Sequence, residues 1–432
     1  MKLNKLNFSL SLETLDGPLH KLNELEEYFN IIQKNKKFSS QIIGLSELKN
    51  WQFNKEKNFA HETNKFFTIK KIKYNSYESG ILHQEGEGVL AVFVTLIDNI
   101  PHFLIQFKEE PGNINKSQLS PTIQATKSNY SKVHGGSAPS YWNEFLQIRE
   151  DCSLINLKQP EQGYRYWRKF NQNMILLTDY FEEQKGFKWM TLGQIFSFVE
   201  IDNSINSCLR SVLSLICYAD DNENEPSNLY DAVENLQTEQ YENFGILEND
   251  IQSFYSKDKD ALLFETPLDS FSIQGVEVNL EDREVSSWNQ PIIVEKEKLF
   301  YILVRIKVEN NFYYVWKIYT EPGYNFGYTF GPSEMVKNNE LEIKDVLNSK
   351  INEYSKYGQL CNSQIINMSE EGGRFWQTVV SNIIITLESD EIPKTQFPYI
   401  VLDESGSYKL IMESLMSMEG RSIFFISRGD LI

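Results

Sequence analysis

The pattern of apolar and polar positions divides the chain into elements. In residues 19–33, Leu19, Leu22, Leu25, Tyr28, Phe29 and Ile32 recur at helical spacing and predict a helix. A short helix is expected to start near Ser46. Residues 66–74, FFTIKKIKY, are rich in β-branched and aromatic side chains and predict a strand. Residues 88–97 and 102–110 predict two more, joined by a turn at DNIP. Residues 163–181 read as a further strand pair, and residues 191–201 and 207–219 as helices. Residues 219–228, ADDNENEPSN, are acidic, poor in apolar side chains and carry a proline. That composition predicts a boundary between two domains, 1–222 and 223–432.

The pattern then returns. QFKEEPG at 106–112 matches KIYTEPG at 317–323, an offset of 211. EQGYRYW at 161–167 matches EEGGRFW at 370–376, an offset of 209. His61-Glu-Thr63 matches Phe264-Glu-Thr266, and Asn173-Met-Ile175 matches Asn382-Ile-Ile384. The matches keep their order with little drift, which predicts a tandem duplication. Within each half, helices and strand pairs follow one another without regular βαβ alternation. An α+β fold with a mixed sheet is therefore expected.

Between the predicted strands lies residues 110–141, dense in hydrogen-bonding side chains and poor in core-filling ones. Gln118, Ser120, Thr122, Gln124, Thr126, Lys127, Ser128, Asn129, Tyr130 and His134 fall close together, with Tyr141 beyond them. Such a stretch is either a solvated connector or an ordered ligand-binding loop. Leu119, Ile123, Tyr130 and Val133 as apolar anchors favour the second.

Composition narrows the function. The chain has 432 residues, 41% of them hydrophobic, and a formal net charge of −18. That charge disfavours nucleic acid and anionic membranes as partners but leaves room for a small anionic ligand. Cys152, Cys208, Cys217 and Cys361 form no C-x-x-C pair and are expected to be reduced thiols. No run approaches a membrane span or a signal peptide, so a cytoplasmic protein is expected.

No dinucleotide fingerprint, P-loop, His/Cys metal set or nucleophile elbow occurs. The expected chemistry is acid–base work without metal or cofactor. His134, beside two glycines, is a candidate proton carrier or a structurally bonded histidine. Tyr130, Lys127 and Tyr141 are lesser candidates. Glu161 and Arg165, and Glu370 and Arg374, place a carboxylate four residues before an arginine. Such an arginine clamps a phosphate or braces the fold. Trp288 and Gln290, in SSWNQP, suit stacking on a base or sugar, or a strand end. The repeated Glu-Pro-Gly at 110–112 and 321–323 reads as a strand-ending turn.

On these residues the chain resembles the NDP-hexose 2,3-dehydratase family of deoxysugar biosynthesis. The carrying motifs are EPGNINKSQLSPTIQATKSNYSKVHGG (110–136), EQGYRYWRKFNQNMI (161–175), KWMTLGQI (188–195), REVSSWNQPII (283–293) and SEEGGRF (369–375). The resemblance implies two tandem Nudix-like domains, a homodimer and a substrate such as dTDP-4-keto-6-deoxyglucose. It implies loss of the C3 proton and the C2 hydroxyl, and a separate 3-ketoreductase to intercept the product. By the family pattern, His134, Tyr130, Glu161 and Lys127 are the catalytic candidates. Gln118, Ser120, Thr122, Gln124, Thr126, Ser128, Asn129, Tyr141, Arg165, Trp288, Gln290 and Arg374 are the substrate-binding ones. The sequence departs from the family where SGILHQEGEGVL (79–90), FGPSEMV (330–336) and YIVLDES (399–405) stand for family motifs. One intact centre in the first domain is therefore expected, with an accessory or eroded second. The competing reading is a non-catalytic sugar-nucleotide-binding or assembly protein derived from the family.

Overall fold

The computed structural model describes residues 6–34, 38–74, 76–130, 138–216, 245–266, 269–280, 287–324 and 328–429. His134, Cys217 and the expected boundary at 219–228 lie outside the described residues. We call the described residues up to 216 the first half and those from 245 the second.

The two halves match strand for strand. The first holds β1 (Phe38–Ile43), β2 (Trp51–Phe53), β3 (Phe59–His61), β4 (Thr68–Tyr74), β5 (Tyr77–His83) and β6 (Gly88–Ile97). It continues with β7 (Ile100–Glu109), β8 (Ser117–Ser120), β9 (Ile123–Ala125), β10 (Ser153–Pro160), β11 (Phe170–Leu177) and β12 (Phe187–Met190). The second holds β13 (Ile246–Glu248), β14 (Tyr255–Ser256), β15 (Ala261–Thr266), β16 (Asp269–Leu280), β17 (Ser287–Glu295) and β18 (Leu299–Val308). Then come β19 (Asn311–Tyr319), β20 (Thr329–Gly331), β21 (Glu334–Lys337), β22 (Gln359–Ser369), β23 (Val379–Glu388) and β24 (Tyr399–Asp403).

One seven-stranded sheet runs β10-β11-β6-β7-β12, with β9 on β6 and β8 on β7. The other runs β22-β23-β18-β19, with β20 and β24 on β19 and β21 on β18. The pairs β11–β6 and β23–β18 are parallel in otherwise antiparallel sheets. The fold is mixed α+β and duplicated. β6 and β18 are apolar almost throughout because both their faces are covered. Leu90, Val92 and Val94 face one core with Leu299, Tyr301 and Leu303. Ala91 and Phe93 point the other way, toward Tyr141 and Trp189.

The two smaller sheets exchange a strand. β1 pairs with β16 of the second half, from Phe38–Leu280 to Ile43–Gly275. β13 pairs with β4 of the first half. A second exchange involves the Glu-x-Gly arms. Gly112 N donates to Gly372 O at 2.7 Å, and Gln377 N to Gly112 O at 2.8 Å. Symmetrically, Gly323 N donates to Gly163 O at 2.6 Å and Arg168 N to Gly323 O at 2.8 Å. A Cβ on Gly112 would lie 1.7 Å from Phe375 O, and one on Gly323 1.9 Å from Tyr166 O. The repeated Glu-Pro-Gly is thus the dock for the opposite half's arm as well as a turn.

The expected elements need three adjustments. Residues 163–169 are not a strand; they form the arm, and Phe170–Leu177 pairs instead with Ser153–Pro160. Much of the expected loop 110–141 is ordered structure: Ser117–Ser120 and Ile123–Ala125 are strands of the large sheet. The described helix after residue 206 ends at Leu213. Its start follows the sequence, since the Asn206 side chain accepts from Cys208 N at 2.7 Å. Thr191 and Gln194 likewise cap the helix Leu192–Ser197 reciprocally.

Two buried arginines cross between the halves at the centre. Arg210, on the helix Ser207–Leu213, donates to Ser422 Oγ at 2.6 Å, Ser369 O at 3.0 Å and Ile205 O. Arg421, on the helix Met418–Ser427, donates to Ser211 Oγ at 2.9 Å, Pro160 O at 2.7 Å and Met416 O at 2.5 Å. Burial lowers both to about 10, so both stay charged at neutral pH. Replacing either arginine by leucine orphans buried carbonyls and a hydroxyl, each costing about 1–3 kcal/mol. Urea denaturation of Arg210→Leu and Arg421→Leu is expected to show similar losses of about 3–5 kcal/mol. A loss below about 1 kcal/mol in either would refute this account of the interface.

Candidate functional site

A cavity of about 900 Å³ opens where the first large sheet meets the arm of the second half. β6, β7 and β9 contribute Leu90, Gln106, Lys108 and Gln124. The first half's own arm contributes Glu161, Tyr166 and Lys169. The second half contributes Glu371, Gly373 and Arg374 from its arm, and Trp288, Asn289 and Gln290 from β17. The site therefore needs both halves of one chain. The lining carries five cations, Lys49, Lys108, Lys169, Lys185 and Arg374, against Glu109, Glu110, Glu161 and Glu371. In a chain of net charge −18 that is one basic side chain more than acidic ones.

The buried polar groups of the cavity form a connected set. Gln124 Nε2 donates to Glu110 Oε1 at 2.9 Å and to Glu371 Oε1 at 3.2 Å. Glu110 also accepts from Asn206 at 2.9 Å and pairs with Lys108 at 3.0 Å, so most of its acceptor sites are used within the protein. Glu161 accepts from Asn171 Nδ2, whose Oδ1 accepts from Gly88 N at 3.1 Å. Lys169 Nζ donates to Gly86 O at 2.5 Å, and Glu161 N to Lys169 O at 2.9 Å, which closes the arm into a loop. Burial raises the Glu161 carboxyl, opposed by Arg421 and Lys169. Burial, with Glu110 beside it, raises Glu371 to about 8. Burial lowers Lys169 to about 8, opposed by Glu161. All three shifts favour the uncharged form.

Aromatic side chains wall the cavity. Trp51 stacks on Phe59 and meets His61 edge-on at 5.4 Å. The Arg374 guanidinium lies 4.4 Å above the Phe67 ring. Trp288 Nε1 donates to Gln290 Oε1 at 3.2 Å, and Gln290 Nε2 to Gly373 O at 2.6 Å, which ties β17 to the arm.

Of the residues singled out in the sequence, Thr122, Gln124, Thr126, Ser128, Asn129, Glu161, Trp288, Gln290 and Arg374 line the cavity. Others stand apart. Gln118 is buried and donates to Asn203 O at 2.8 Å and to Ser369 Oγ, at the junction of the halves. Ser120 Oγ donates to Gln118 O at 3.4 Å. Tyr141 Oη bridges Glu182 O and Gln184 N, both at 2.8 Å, in the core. Tyr130 stacks on Trp142 at 5.0 Å, and Lys127 lies beside Gly86. Thr122 lines the cavity, but its hydroxyl accepts from Phe93 N and donates to Leu104 O. Ser333 makes the same bonds, with Val304 N and Val315 O, in the second half. That hydroxyl belongs to the shared fold.

Arg165 departs furthest from the expected picture. Its side chain crosses into the second half, 3.8 Å above Phe271, and grips Glu295 through Nε at 2.9 Å and Nη2 at 3.0 Å. Arg374 makes the mirror crossing into the first half. Lys169, Glu371, His61 and Trp51 were not singled out as site residues. Lys169 and Glu371 stand inside the quoted motifs RYWRKF and SEEGGRF, and His61 inside a repeat match.

In the second half the matching space is filled by side chains. Tyr301 stands where the first half has Leu90, and Tyr164 where it has Gly373. Tyr164 Oη lies 3.0 Å from Tyr301 Oη, and Tyr301 donates to Glu370 Oε1 at 3.2 Å. Gln162 donates to Glu370 Oε2 at 2.8 Å. Burial raises Glu370 to about 7 and also raises Glu321 and Glu419.

A family model described as NDP-hexose 2,3-dehydratase matches residues 22–216 and 247–425. A dTDP-4-dehydro-6-deoxy-alpha-D-glucopyranose 2,3-dehydratase of Saccharopolyspora spinosa is 27% identical over 89% of this chain and 87% of its own. A protein of the same description from Amycolatopsis orientalis is 34% identical over 49% of this chain and 48% of its own. One from Streptomyces violaceoruber is 27% identical over 77% of this chain and 80% of its own. A solved ADP compounds hydrolase, 12% identical, covers 40% of this chain and 94% of its own with a TM-score of 0.27, too slight a likeness to carry an argument. Among the described residues no helix is long and apolar enough to cross a membrane. With the family model matched across both halves, the chain belongs to the NDP-hexose 2,3-dehydratase family.

Proposed function

We propose that the protein is a hydro-lyase that removes water from a dTDP-4-keto-6-deoxyhexose across C2 and C3. Family membership and the names of three relatives support the 2,3-dehydratase activity. The observation that carries the site assignment is the meeting of Glu161 and Lys169 from one half with Glu371 and Arg374 from the other in one cavity.

The C4 ketone acidifies the C3 proton. Elimination then needs an unprotonated base at C3 and a protonated acid at the C2 oxygen. Burial moves both groups in the direction this needs: Lys169 toward the free amine and Glu161 toward the protonated carboxyl. In the proposed step the Lys169 amine takes the C3 proton to give the C3–C4 enolate, which then re-forms the C4 ketone as the C2–C3 double bond forms. The C2–O bond breaks as Glu161 donates its proton, and water leaves. Glu371, also held toward its protonated form, donates a hydrogen bond to the enolate oxygen at C4. Arg374 holds the diphosphate, and Trp288 packs on the base or sugar. The enol product tautomerises to a 3,4-diketo sugar, which a separate 3-ketoreductase would take up. In this reading the first half is the catalytic unit and the second an accessory one, with boundaries at 1–222 and 223–432. His134 remains a candidate proton carrier on the sequence argument alone. We also propose a homodimer working in the cytoplasm, on the family expectation and on the free thiols of Cys152, Cys208 and Cys361.

Incubation with dTDP-4-keto-6-deoxyglucose and a 3-ketoreductase is expected to give a 2,6-dideoxy sugar nucleotide; binding without product would overturn the activity. Glu161→Gln and Lys169→Met are each expected to lower kcat by about 10²–10⁴-fold. Because the base must be unprotonated, kcat/KM of the wild type should rise with pH up to about 8. Lys169→Met should lose that rising limb; its persistence would remove Lys169 from the base role. Arg374→Ala is expected to raise KM at least about tenfold, more than Arg165→Ala does in protein of equal folded fraction. The reverse order would return the anion site to Arg165.

A further inference from the structure

The duplication places two copies of one device in a single chain, differing in one charge. Arg165 and Arg374 sit at matched positions on their arms and stack on matched rings, Phe271 and Phe67. The strands that hold them also match: Leu82 bridges Tyr166, and Ile293 bridges Phe375. Two residues beyond those bridge positions stand Gln84 and Glu295. Glu295 is buried and neutralises Arg165 in a two-pronged ion pair. Gln84 lines the cavity with Arg374 and carries no charge. Among the described residues Arg374 has no carboxylate at ion-pair distance. Its Nη1 donates to Gly373 O at 2.8 Å, and its buried Nε has no partner.

We infer that Gln84 is a specificity-determining residue for the anionic part of the substrate. Its neutral amide leaves the Arg374 charge for a diphosphate, where a carboxylate would occupy it as Glu295 occupies Arg165. A bidentate carboxylate competes directly with a phosphate for the same guanidinium edge. The two halves are thus opposite settings of one switch position, with a built-in carboxylate in the second and a neutral amide in the first. The inference rests on the reading of the cavity as a nucleotide-sugar site and names the residue that opens it.

The test is calorimetric titration of the full chain with dTDP and, separately, with thymidine, which lacks the diphosphate. Gln84→Glu is expected to weaken dTDP at least about tenfold and to leave thymidine within about threefold. Gln84→Leu, which removes the amide without adding charge, is expected to keep dTDP within about threefold of wild type. Unchanged dTDP affinity in Gln84→Glu would overturn the inference. So would equal losses of dTDP and thymidine, or a Gln84→Leu loss as large as that of Gln84→Glu. The expected pattern in a protein that binds dTDP but dehydrates nothing would sustain the inference and defeat the proposed reaction.

Discussion

The reciprocal grip of Arg210 and Arg421 is the constraint on which the rest of the molecule hangs. Each guanidinium leaves water, which is costly unless its donors are met. Each meets two backbone carbonyls and a serine hydroxyl, with one carbonyl and the serine supplied across the junction of the halves. A fork of five donors in one plane is what such a set of acceptors requires, and lysine has no equivalent geometry. Nearby carboxyls oppose part of the burial effect, Glu370 on Arg210 and Glu161 and Glu419 on Arg421, although burial also moves these carboxyls toward the neutral form. One of these, Glu161, is also a cavity residue. The scaffold and the proposed acid therefore share a charge network, and a change in either is felt by the other.

The exchanges explain why the cavity draws on both halves. Each arm docks on the Glu-Pro-Gly turn of the other half and not on its own. Docking of Phe375 against Gly112 carries Glu371 and Arg374 into the first half. The mirror docking carries Gln162 and Arg165 into the second. Asymmetry then comes from side chains alone. Where the first half has Leu90, Lys108, Lys169 and Cys208, the second has Tyr301, Tyr319, Thr378 and Glu419. The first two changes add an aromatic ring, the second and third remove a lysine, and the fourth adds a carboxyl. Together they turn an open cationic cavity into a filled acidic cluster on an unchanged backbone topology.

This separates what the sequence makes legible from what it hides. The duplication was readable because its matches lie in strands and turns whose geometry both copies must keep. The strand Ser153–Pro160 is not legible in sequence because SLINLKQP mixes polar and apolar residues without clean alternation, being an edge strand paired only with β11. The polar stretch misled in its first part for a different reason. Gln118, Ser120 and Thr122 are polar because they satisfy buried backbone groups, and a linear pattern cannot tell that from ligand binding. Arg165 and Arg374 look alike in sequence, and only the crossing of the arms decides which of them lines the cavity. Lys169 and Glu371 carry no motif of their own; what marks them is burial beside opposite and like charge.

The charge of the cavity also bears on how binding and proton transfer fit together. A diphosphate entering near Lys169 would by itself favour the ammonium form, raise the lysine toward its ordinary range and weaken the base. The same negative charge would help to keep Glu161 protonated. The two effects pull the elimination in opposite directions, so the cation that receives the diphosphate determines the balance between them. An arginine that stays charged at any working pH can absorb the ligand's charge without changing its own protonation. With Arg374 stacked on Phe67, a diphosphate bound as proposed would find a fixed counter-charge supplied by the second half. Lys169 is then left in the low-polarity surroundings that make its amine basic in function and uncharged in part. In the proposed mechanism the exchange of arms would therefore do more than complete the cavity: it would bring in the charge that lets an anionic substrate bind without disabling the base.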